Sequence, residues 1–181
     1  EVIIDGEDIL QLKQGAVDRF RAEKIGFMFQ SFFVQGNESV YDNVSLPLEI
    51  ARVSRNKRKL RVMRALKAVE LSDKVKSKAR NLSGGQKQRL AIARAIVGEP
   101  KIIFADEPTG NLDSLTGAKV EELLFGYNRD KGVTLIIVTH DPELAAKCDM
   151  LVSIKDGEIE SVEQKSAVES LRTKDARGLL Q

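Results

Sequence analysis

The chain has 181 residues, 42% hydrophobic and 31% charged, which suits one globular domain with a single core and excludes a disordered or fibrous protein. Its 29 basic and 27 acidic residues leave a net charge of +2, too even to point to nucleic acid or an anionic membrane as the main partner. A lone cysteine, Cys148, rules out an internal disulfide framework and suits a reducing compartment, and no run approaches the roughly 18 apolar residues of a membrane span.

Val2, Ile3 and Ile4 read as a strand entering a turn at Asp5-Gly6, a strong reversal signal. The chain opens at Glu1 inside that strand, so a further N-terminal segment is expected ahead of it. Residues 18–24 suit a short helix leading into a strand over 25–29, with Gln30 at its end. From 31 to about 80 no strand-like run occurs. Leu46, Leu48 and Ile50 fall on one helix, interrupted or bent at Pro47. Leu60, Met63, Leu66 and Val69 make an apolar stripe on the next. The basic cluster Arg52, Arg55, Lys57, Arg58, Lys59, Arg61 and Arg64 reads as a solvated helix face ahead of a phosphate-binding patch.

After Leu82-Ser83-Gly84-Gly85-Gln86, residues 86–97 form a strong helix with Leu90, Ala93, Ile96 and Val97 on one face, stopped by Gly98 and Pro100. Residues 102–105 are a continuous apolar strand of the kind buried on both faces in a parallel sheet. A helix over 115–127 turns Val120, Leu123, Leu124 and Tyr127 inward, and 134–138 is the next buried strand. Asp141 caps a helix with Pro142 at its first position. Residues 150–154 and 158–162 pair as a hairpin around Asp156-Gly157, and 163–181 read as a polar tail or loosely docked helix. The expected fold is α/β with a mostly parallel sheet. Its core comprises 1–30 and 88–162, and 31–87 form an inserted helical subdomain.

Asp106 and Glu107 close an apolar strand, and ligands of open α/β sheets bind at that carboxyl edge. An Asp there can hold Mg²⁺, and a neighbouring Glu can polarise a water for attack on phosphorus. Taken alone, the pair caps a turn before Pro108 equally well. Ser83, Gly84 and Gly85 stand at a helix start, where free N–H groups and the dipole attract an anion, although a plain N-cap explains a bare Ser-Gly-Gly better. His140 is the sole histidine, a residue more often structural than catalytic, and Gln30 by itself is an ordinary polar strand end.

Order changes that balance. Gln30, the Leu82–Gln86 run, strand-Asp106-Glu107-Pro108, Asn111-Leu112-Asp113 and Thr139-His140-Asp141 resemble, in sequence, the Q-loop, signature, Walker B, D-loop and switch histidine of ABC transporter ATP-binding subunits. The match covers nearly the whole chain, and the wording from Asp106 to Asp113 resembles the branch serving lipoprotein release, macrolide export and antimicrobial-peptide resistance. The resemblance implies a P-loop NTPase core, ATP and Mg²⁺ as ligands, and a head-to-tail homodimer with a second ATPase subunit. It implies a transmembrane permease as partner, no nucleic acid, and a cytoplasmic location on the inner face of the membrane. Asp106 would bind Mg²⁺, Gln30 would reach the metal and the attacking water, Glu107 would be the general base, and His140 would contact the γ-phosphate. Ser83, Gly84 and Gly85, with Gln86, would grip the partner's nucleotide, and Asp113 would cross the interface.

Two departures stand out. No Gly-x-x-x-x-Gly-Lys-Ser/Thr occurs in the 181 residues, nor a counterpart of the aromatic residue that stacks adenine. Both lie upstream of Glu1 in the family, so truncation is expected, with an inactive chain when alone. Asn81 also stands where Glu or Gln is common. The alternatives are a non-catalytic interaction module lacking its own phosphate loop and a DNA-repair or chromosome-type ABC ATPase. The short insert, with neither heptads nor a cysteine cluster, speaks against the latter.

Overall fold

The computed structural model describes residues 1–4 and 6–165. Residues 1–138 form one compact unit, and the chain from Thr139 onward forms a second. In the first unit β1 (Ile3–Ile4) and β2 (Glu7–Asp8) make an antiparallel pair, with Gly6 at φ +81° in the turn between them. Helix α1 (Gln14–Lys24) starts earlier than expected and runs directly into β3 (Ile25–Met28). Helices α2 (Val40–Ile50), α3 (Arg55–Ala68) and α4 (Gly84–Ile96) follow, then β4 (Ile102–Asp106), α5 (Ser114–Lys131) and β5 (Thr134–Val138).

Strands β3, β4 and β5 form a parallel sheet in that order, with Phe27 opposite Phe104 and Phe104 opposite Ile136. Alternation along each strand sends Gly26, Met28, Ile103 and Ala105 to one face, which the helices cover. A Cβ on Gly26 would collide with the Ala95 carbonyl, so this glycine lets α4 lie directly on the sheet. The opposite face carries Phe27 stacked on Phe104 at 5.4 Å between centroids, and then Ile136 and Val138. Val138 is 60% exposed, so β5 is not the doubly buried strand its composition predicts. Among the described residues it pairs on one side only, with β4.

The helical stretch departs from its sequence pattern in two places. Helix α2 runs through Pro47 without interruption; the proline removes one N–H and the helix continues past it. On α3 the buried side chains are Val62, Ala65 and Leu66, with Val69 just beyond, while Leu60 and Met63 are exposed. A strict three-residue spacing slips backward around a helix of 3.6 residues per turn, whereas 62, 65, 66 and 69 hold one face. Arg55, Lys57, Lys59 and Arg64 of α3 are exposed, while the half-buried Arg58 pairs with Glu49 at 2.6 Å and Arg61 with Glu99 at 3.8 Å.

In the second unit Asp141 caps the short helix α6 (Pro142–Ala145), accepting from the N–H groups of Glu143 and Leu144. Strands β6 (Met150–Lys155) and β7 (Glu158–Gln164) form the expected hairpin, turning through Asp156 and Gly157, both at positive φ, as a two-residue loop requires. Glu163 and Gln164 continue β7 rather than opening a tail; the tail expected beyond them lies, from 166 on, outside the described residues. Among the described residues no helix is long and apolar enough to cross a membrane.

Candidate nucleotide site at the carboxyl edge of the sheet

β4 ends at Asp106, whose side chain is exposed at the carboxyl edge. Glu107 then takes a left-handed backbone at φ +43°, with its N–H donated to the Val138 carbonyl at 2.8 Å. A side-chain-bearing residue there costs about 1–2 kcal/mol, and such strain collects at functional turns. The turn is held from inside: Gly110 N–H donates to the Glu107 carbonyl, Leu112 N–H to the Thr109 carbonyl, and Gly110 lies 3.5 Å, measured from an ideal Cβ, from the Glu107 carboxylate.

Gln30 lies two residues beyond β3 and is exposed. Its carbonyl accepts from the Asn111 side chain at 3.4 Å, so the segment after β3 meets the loop after β4. Arg94 of α4 fixes the next residues by donating to the carbonyls of Phe33 at 2.7 Å and Phe32 at 2.9 Å; burial lowers its pKa from the ordinary guanidinium value. Asn43 of α2 closes the same segment, accepting from Gln35 N–H and donating to the Gln35 and Ser39 carbonyls.

Ser83 is the N-cap of α4 in a reciprocal capping box. Its Oγ accepts from Gln86 N–H at 3.3 Å, and Gln86 Oε1 accepts from Ser83 N–H at 3.0 Å. Ser83 and Gly84 are exposed, and a Cβ on Gly84 would meet nothing within 4 Å. Gly85 is different: its missing side chain makes room for Thr116 of α5. Asp113 caps α5, accepting from Thr116 N–H at 3.0 Å, and the Thr116 hydroxyl and N–H hold its carboxyl below the ordinary range. Gln88, buried on α4, donates through Nε2 to the carbonyl of Pro108. The structure thus brings Gln30, Asp106, Glu107, Asp113 and the Ser83–Gly85 helix start into one linked set of loops. His140 belongs to the second unit, exposed between Thr139 and the α6 cap, where Thr139 Oγ1 accepts from Asp141 N–H.

A glycine-opened helix start with Ser83 and Gly84 exposed, and an Asp-Glu pair at a parallel strand end, can hold a phosphate chain and its cation. The family model described as ABC transporter matches residues 1–110. The chain belongs to the ABC transporter family. It is 45% identical over 159 residues to the lipoprotein-releasing system ATP-binding protein LolD of Syntrophotalea carbinolica, covering 88% of this chain and 70% of that protein. It is 45% identical to the uncharacterised ABC transporter ATP-binding protein YvrO of Bacillus subtilis, over 86% of this chain and 68% of the relative. Among solved structures it resembles the ATP-binding cassette MJ0796, described as a dimer in a post-hydrolysis state with ADP and Pi. The two are 39% identical with a TM-score of 0.79, over 89% of this chain and 71% of the other.

The α/β fold with its parallel sheet is therefore that of an ABC ATPase cassette, and ATP is the family's nucleotide. Mg²⁺ asks for one or two carboxylates together with phosphate oxygens and waters. Among the described residues no group of three His, Cys, Asp or Glu gathers for a metal, and this ion needs none; the exposed Asp106 carboxylate fits it. Three residues of this ABC domain escaped the motif reading: Gln88, Arg94 and Asn43. Gln88 could have been found, since 88, 91, 92 and 95 share a helical face and the other three are apolar.

Proposed function

We propose that the chain is the ATP-hydrolysing part of an ABC transporter subunit, paired head to tail with a second ATPase subunit and coupled to a transmembrane permease at the cytoplasmic face of the membrane. The observation that carries this reading is Glu107, held in strained left-handed backbone beside Asp106 at the carboxyl edge of the sheet. Asp106 and Gln30 hold Mg²⁺, which when bound offsets the negative charge of the phosphates. Glu107 orients and deprotonates the attacking water, and His140 contacts the γ-phosphate. Ser83, Gly84, Gly85 and Gln86 grip the nucleotide of the partner subunit, and Asp113 crosses between subunits. The dimeric state described for MJ0796 supports the pairing. The helical segment 31–87 takes the permease contact, and the relative LolD favours a lipoprotein-release type of transporter.

The phosphate loop is not among the 181 residues, so this reading assigns it to sequence ahead of Glu1 and makes the chain alone inactive. Calorimetry on the 181-residue chain should find weak Mg-ATP binding; micromolar affinity would overturn the assignment. In the protein carrying the loop, Glu107→Gln should bind ATP, accumulate as a dimer on size exclusion, and lose roughly 10²- to 10⁴-fold in turnover, the usual worth of a general base. Hydrolysis near the wild-type rate would move that role to another residue.

A further inference from the structure

Gln88 is 1% exposed on the second turn of α4, and its amide nitrogen donates to the backbone carbonyl of Pro108. A carbonyl only accepts, so the nitrogen has to face it and the amide oxygen points the other way. There, among the described residues, Oε1 finds no donor. Met or Leu would fill the same buried space without an orphaned oxygen, so packing does not explain an amide at this position. The bond to Pro108 does.

Pro108 follows Glu107 directly. The Glu107 turn is consequently pinned on two sides: its own N–H goes to Val138 of β5, and the next carbonyl goes to Gln88 of α4. Gln88 stands five residues after Ser83, about 7.5 Å along the helix from the exposed N-cap. A helix is stiff over that distance, so the position of its start and the position of the Glu107 backbone are tied through one side chain.

We propose that Gln88 is a positioning residue: its bond to the Pro108 carbonyl sets the Glu107 turn against the Ser83–Gly85 helix start. Movement of α4 when an anion is gripped at its start is thereby passed to the Glu107 carboxylate. The proposal rests on the assignment of Glu107 as general base, and two measurements separate the two ideas. Gln88→Met keeps length and volume but has no N–H. In the loop-bearing ATPase its kcat should fall about 10-fold, with KM for ATP within about twofold, while Tm changes little because losing the orphaned Oε1 offsets leaving the Pro108 carbonyl without its donor. Gln88→Leu should give the same pattern. In a Glu107→Gln background Gln88→Met should add nothing. Native-state hydrogen exchange supplies a readout independent of catalysis: the Glu107 and Gly110 amides should exchange about 10-fold faster in Gln88→Met, while amides in the middle of α4 keep their protection. Wild-type exchange at Glu107 and Gly110 would overturn the tie whatever the base is. Faster exchange with unchanged kcat would overturn the positioning role. An active Glu107→Gln alongside faster exchange would leave the tie standing and count against Glu107 instead.

Discussion

Thr116 Cγ2 lies 2.5 Å from where a Cβ on Gly85 would stand, so the start of α4 and the first turn of α5 touch through the absence of a side chain. Real Cβ atoms do not sit that close, and the next nearest atoms, Thr116 Cβ and Oγ1, are 3.7 Å away. Two loops read as separate nucleotide-handling motifs therefore share a wall. Gly84, one residue earlier, faces open space.

The contrast gives a direct test. Gly85→Ala should destabilise by about 1–3 kcal/mol, the usual cost of overpacking. Gly84→Ala should be neutral or slightly stabilising, because Ala is the better helix former by up to about 1 kcal/mol. Thr116→Ser removes only Cγ2, so combined with Gly85→Ala it should recover most of the loss. Thermal melts of the four variants decide it; equal Tm for Gly84→Ala and Gly85→Ala would mean that the wall does not exist.

Glu107 offers a second test, on backbone conformation. At φ +43° glycine is unstrained, while alanine keeps the Cβ clash. Both lose the carboxylate, so comparing them isolates the backbone. Glu107→Gly should be more stable than Glu107→Ala by about 1 kcal/mol, and both should lose ATPase activity in the loop-bearing protein. An alanine variant as stable as the glycine variant would argue that the turn relaxes to ordinary backbone.

Much of the fold was legible because its signals are local. Glycine after Asp156 and a capping residue at Asp141 act over two or three positions, and both appear as expected. Failures came where the deciding contact is distant. Nothing near Gly85 in sequence announces Thr116, 31 residues on, so the packing reason for a glycine there, space for a methyl group, does not show in the motif. Val138 has the composition of a buried strand, yet burial depends on what covers that face of the sheet. The order of the motifs identified the family, while the bonds that hold their loops in place, from Gln88 to Pro108 and from Arg94 to Phe32 and Phe33, are visible only once α4 is laid on β3 and β4.

The Asp113 carboxylate ties one of those loops to pH. Hydrogen bonds from the Thr116 side chain and backbone lower its folded pKa, so its contribution is complete above the ordinary Asp value of about 3.9 and is lost as pH falls through the depressed one. Asp113→Asn keeps a cap oxygen but cannot titrate. Urea midpoints should favour the wild type most near neutrality, with the gap closing in the acid range. A gap independent of pH would mean that the charge contributes nothing to the cap.

Ser83 carries the sharpest test of the shared-site mechanism. Its Oγ and N–H are both engaged with Gln86, so Ser83→Ala should cost about 1 kcal/mol of stability through the lost cap and serves as the control. Ser83→Arg places a bulky cation over the exposed N–H groups at the start of α4. In the loop-bearing protein it should block ATP-driven dimerisation beyond the alanine control, yet leave nucleotide binding by the monomer largely intact. Mixing Ser83→Arg subunits with subunits lacking the phosphate-loop lysine yields dimers with two unlike sites. One site joins an intact loop to an intact helix start, and the other carries both lesions. Recovery of activity or dimer in the mixture, measured against each variant alone, is the expected result. If Ser83→Arg abolished ATP binding by the monomer, the helix start would serve its own subunit's pocket, and head-to-tail pairing would be wrong for this protein.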